Sequence, residues 1–74
     1  MEKKDEELIR SLLEREPELR RFYEEHEDLE RQLGAYQQKM YLTPEEELEK
    51  KRLQKLKLAG KDKIMEILSR YRAH

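Results

Sequence analysis

Steps of three and four from Leu19 pick out Leu19, Phe22, His26, Leu29, Leu33, Tyr36 and Met40, a single stripe broken only by the histidine. Carried backward, the stripe takes in Leu12 and Leu8, with Arg15 intruding. A second stripe of Leu53, Leu56, Gly60, Ile64, Ile67 and Tyr71 falls within roughly an 80° arc at 100° per residue. Each stripe is one buried face of an amphipathic helix. Polar side chains fill the rest of the turns.

Two stretches interrupt the helical period. In Met40-Tyr41-Leu42-Thr43-Pro44-Glu45-Glu46, Thr43 is suited to an N-cap, Pro44 to the first helical position and Glu46 to closing a capping box. At Glu16-Pro17 the proline removes a backbone donor and disfavours helical geometry in the residue before it, leaving a kink or a short gap. The spacing therefore predicts one domain with helices over about residues 4–15, 17–39 and 44–72. A connection of about three residues between the long helices brings them side by side and antiparallel. The expected fold is all-α: an antiparallel two-helix hairpin, coiled-coil-like, with a short N-terminal helix before Pro17.

With a turn centred near residue 43, Leu33 faces Leu53, Leu29 faces Leu56, His26 faces Gly60, Phe22 faces Ile64 and Leu19 faces Ile67. These ten residues are the expected hairpin core. Two apolar groups are left over. Leu58, Met65 and Leu68, with Lys61 and Asp62 beside them, project away from the second stripe and form a candidate interaction face. Leu8, Ile9, Leu12 and Leu13 precede Pro17, where partner positions on the last helix would run past His74, and form a candidate N-terminal association patch. Two such clusters on a small domain point to self-association or another protein partner.

Composition narrows the alternatives. Ala, Glu, Lys, Leu and Arg make up 47 of 74 residues, Val is absent, and the formal net charge is -1. The longest apolar run, Met40 to Leu42, is far too short for a transmembrane span or a secretory h-region, so the expected address is cytoplasmic. Residues 1–49 carry 16 acidic and eight basic groups, and residues 50–74 carry two acidic and nine basic ones. An acidic arm folding back on a basic one accounts for that asymmetry. The basic arm is also the basis of an alternative, weak nucleic-acid binding, although its charges surround the helix on every side except the apolar stripe.

The sequence offers little for catalysis. It has no cysteine, no asparagine, no glycine-rich loop and no Ser/His/Asp spacing, so no enzyme and no cofactor is expected. His26 lies among carboxylates, but Tyr23 stands where a Glu-x-x-His motif needs glutamate, and HExxH is missing. No metal site is expected, and His26 reads as a core histidine in the space left by Gly60.

Glu16-Pro17, the segment Tyr23-Glu24-Glu25-His26-Glu27-Asp28-Leu29 and the segment Lys57-Leu58-Ala59-Gly60-Lys61-Asp62-Lys63-Ile64 together resemble the YdcH-like family of small bacterial proteins. The resemblance spans nearly the whole chain and is carried by the histidine with leucine three residues on and by the K-L-x-x-K-D-x-I pattern. It implies a helical hairpin of bacterial cytoplasmic origin and supplies no activity, since the family is a domain of unknown function. Gly60 departs from the family's usual large apolar residue.

Overall fold

The computed structural model describes residues 2–72. These form three helices, α1 (Lys3–Leu12), α2 (Pro17–Gln37) and α3 (Pro44–Arg72), with no strand among the described residues. The chain is all-helical, and α2 and α3 pack along each other.

Proline decides where α1 stops. Pro17 occupies the first turn of α2 and holds Glu16 out of helical geometry at φ -123° and ψ 87°. The α1 ladder therefore ends at Leu12, three residues earlier than the apolar period alone suggests. The Leu12 carbonyl accepts from both Arg15 N–H at 3.0 Å and Glu16 N–H at 2.9 Å, closing the turn. Pro17 thus marks a gap rather than a kink.

α2 likewise ends at Gln37 instead of Lys39, so the connection to α3 is six residues, 38–43, not three. The second start is fixed by a reciprocal cap. Glu46 N–H donates to Thr43 Oγ1 at 3.1 Å, while Thr43 N–H donates to Glu46 Oε1 at 3.0 Å. Lys39 in the connection pairs with Glu46 of α3 at this end, Glu30 and Lys57 pair at 3.3 Å further along, and Tyr71 donates to Glu16 near the other end.

The core sits at the end remote from residues 38–43. Ile9, Leu12, Leu19, Ile64, Ile67 and Leu68 are buried together, with Leu8, Leu13, Phe22, Tyr23 and Met65 packed around them. Each fully buried aliphatic side chain contributes about 1.5–3 kcal/mol through removal from water. Leu33 and Leu53 form a smaller buried layer towards the other end, and His26 is buried between the two.

This packing corrects four expectations. Leu68 is not on an outward face, and Ile9 and Leu12 are not a free patch, because the two sets cover each other. The gap at residues 13–16 lets α1 turn back onto α3, a possibility that a two-helix register leaves out. Leu56, expected in the core, is 45% exposed. Gly60 makes no niche for the imidazole, since a Cβ added there would meet nothing within 4 Å. At 100° per residue Leu68 lies about 40° to one side of Ile64 and Leu56 about 80° to the other, and α1 covers only the Leu68 side.

Candidate interaction surface

The uncovered flank of α2 and α3 is a groove of about 400 Å³. Phe22 and Leu29 from α2 and Leu56, Ala59 and Gly60 from α3 line it, with Glu25 and Asp28 on the α2 rim and Lys63 on the α3 rim. It exists because Gly60 and Ala59 place little bulk where α3 faces this flank, so Phe22 and Leu29 remain only half-buried. The sequence pattern assigned Phe22, Leu29, Leu56 and Gly60 to the core and did not gather them into a groove. Successive positions 56, 59, 60 and 63 at helical spacing were the available signal.

Of the other exposed large apolar side chains, Tyr71 lies at the end near Glu16 and the rest lie nearer residues 38–43. Met40 is 90% exposed, Tyr41 84%, Leu48 69% and Leu58 61%. Of the face proposed from sequence, Leu58, Lys61 and Asp62 are exposed, Met65 is half-buried against the core and Leu68 is inside it. The structure therefore splits that face in two.

Polar contacts tie α1 down around its apolar side. Tyr23 Oη donates to Glu6 Oε2 at 2.7 Å, and Arg72 donates to Asp5. The hydrogen bond to Glu6, helped by burial, pushes the Tyr23 phenol well above its ordinary value. The hydrogen bond from Arg72 holds the Asp5 carboxyl below the usual carboxylate range, and Glu16 raises Tyr71. The contacts to Glu6 and Asp5 were not read from the sequence, because each joins residues whose proximity depends on α1 turning back.

A second groove, of about 820 Å³, runs between α1 and α2 past Tyr23, Arg10 and Arg15. Its charges are mixed and in part internally satisfied, with Arg20 bonded to Glu24 at 3.0 Å and Arg31 to Asp28 at 2.8 Å.

His26, Glu27 and Glu30 bring one ligand atom each within 4.8 Å of one another. Two features count against a metal here. The Lys57 ammonium lies 3.3 Å from Glu30, and the buried His26 Nδ1 has no hydrogen-bond partner. A metal-bound imidazole ordinarily donates its other N–H to an acceptor that fixes the tautomer. The other ring nitrogen, Nε2, stops 3.8 Å from Glu30 Oε1, beyond hydrogen-bond reach. His74, the other histidine, lies outside the described residues.

Among the described residues no helix is long and apolar enough to cross a membrane. No family model, curated protein or solved structure matches the chain.

Proposed function

We propose that this chain is a structural and interaction module, an antiparallel hairpin of α2 and α3 braced by α1, that self-associates and binds another protein through helix faces that α1 leaves uncovered. The observation that carries the reading is the exposed apolar set Met40, Tyr41, Leu48, Leu56 and Leu58, all in the half of the molecule beyond α1. Apolar exposure of this kind on a small domain is a mark of interaction surfaces. The opposed pairs Lys39 with Glu46, Glu30 with Lys57 and Glu16 with Tyr71 support the antiparallel arrangement. The YdcH-like assignment, with its bacterial cytoplasmic setting, belongs to the same proposal and rests on the sequence segments alone.

Nucleic-acid binding has less behind it. Lys57, Arg52, Lys63 and Arg72 each lie beside a carboxylate, which weakens the field of the basic helix. Sedimentation across a range of protein concentrations, with salt-dependent DNA and RNA retardation alongside, separates the two readings. Concentration-dependent association without retardation is the expected result. A monomer at every concentration that retards nucleic acid more strongly at low salt overturns the proposal.

A further inference from the structure

We propose that the groove between α2 and α3 is filled by a second copy of this chain, making a symmetric dimer with one groove face against the other. This deepens the self-association reading and rests on it.

The rims of the groove differ in sign. Glu25 and Asp28 stand on the α2 side and Lys63 on the α3 side. Asp28 is bonded to Arg31 at 2.8 Å, so the acidic charge of that rim is Glu25, which makes no ion pair among the described residues, and Lys63 has only a 3.7 Å contact with Glu66. A surface acidic along one edge and basic along the other is complementary to itself under a two-fold rotation about an axis along the helices. That rotation lays α2 of each copy over α3 of the other. Rotation about an axis across the helices would instead set acidic rim on acidic rim.

Levels along the helices agree. Glu30 lies level with Lys57 and Glu16 with Tyr71, so Lys63 lies level with residues 24–25. The two-fold that matches charge therefore also brings Glu25 of one copy to Lys63 of the other, twice over. Between these pairs, Phe22, Leu29 and Leu56 of the two copies meet above the Gly60 notches. Apolar contact at the centre with charge at the edge is the usual division in protein interfaces. The molecule is 47 Å long and 19 Å across, broad enough for the roughly 800 Å² per partner that a stable interface takes.

Charge reversal tests the partner as well as the place. Glu25→Lys makes both rims basic, and Lys63→Glu makes both acidic, so each variant alone should raise the dimer dissociation constant about tenfold or more. An equimolar mixture of the two should recover association, because every rim then meets its opposite, and the double variant should recover it by itself. Leu56→Glu should give a monomer with unchanged helicity, since that side chain is already half out of the fold. Sedimentation equilibrium reads every arm, with circular dichroism as the folding control. Wild-type dimers indifferent to Leu56→Glu and to both charge reversals would overturn this groove while leaving self-association intact. A wild type that is monomeric throughout would overturn both.

Discussion

Tyr23 Oη donates to Glu6 Oε2 at 2.7 Å, joining α2 to α1 beside the buried side chains of Ile9 and Leu12. The bond restrains α1, whose own ten residues are too few to hold a helix in water without packing. Tyr23→Phe keeps the ring and removes the donor, so it should cost about 1 kcal/mol. Denaturant melts of the two proteins under identical conditions check this, and equal midpoints would show that Glu6 does not engage the phenol.

The same pair sets an alkaline limit. Glu6 and burial raise the Tyr23 phenol in the folded protein above its unfolded value near 10. The folded state thus holds its proton more tightly, and the associated stability is present below about pH 10 and lost as pH climbs beyond it. Asp5 behaves in the opposite sense. Arg72 lowers its folded value, so its contribution is present above about pH 4 and fades as pH falls further. Thermal melts from pH 3 to 11 should show a plateau with losses at both ends. Tyr23→Phe should remove much of the alkaline loss and none of the acid one.

Leu68 and Leu58 make a direct comparison, because both were read from sequence as one outward face. Leu68 is fully buried, and Leu68→Ala should cost about 2–4 kcal/mol. Leu58 is largely exposed, and Leu58→Ala should change stability by less than about 0.5 kcal/mol. Chemical denaturation of both variants measures the difference, and similar costs would mean that α1 does not cover Leu68.

His26 is buried with neither ring nitrogen in a hydrogen bond, since Nδ1 has no partner and Nε2 stops 3.8 Å from Glu30. Replacing an unpaired buried polar group by an apolar one of similar size removes a desolvation cost and breaks nothing. His26→Leu should stabilise the protein by about 1 kcal/mol, read as a rise in Tm. A fall of that size would reveal a bond to the imidazole in solution.

How much of this was legible in the sequence differs from residue to residue. Thr43, Pro44 and Glu46 carry the start of α3 openly, because a capping box needs only residues three apart. Pro17 marks the other boundary for a similar reason, since its effect on Glu16 is local. The stripe through Leu19, Leu33, Leu53, Ile64 and Ile67 identified buried positions, because helical spacing alone decides which side chains share a face. What stayed hidden was anything requiring a third body. Leu68 and Ile9 were each recognised as apolar residues without cover, yet nothing in their spacing says that they cover one another. Leu56 and Gly60 were misplaced for the complementary reason, as a register between two helices says who is level with whom and not how far each side chain rolls from the contact line.

The placement of α1 also orders assembly. A six-residue connection brings α2 and α3 together at small entropic cost, and they can meet as soon as both are helical. The seat for α1, however, is built jointly by Leu19, Ile64, Ile67 and Leu68 from both helices, so it does not exist until they have joined. α1 should be the last element to dock and the first to leave, opening at a free energy below that of global unfolding. Native-state hydrogen exchange would then find its amides exchanging ahead of those around Ile64, and a protease would nick residues 13–16 before any site within α3.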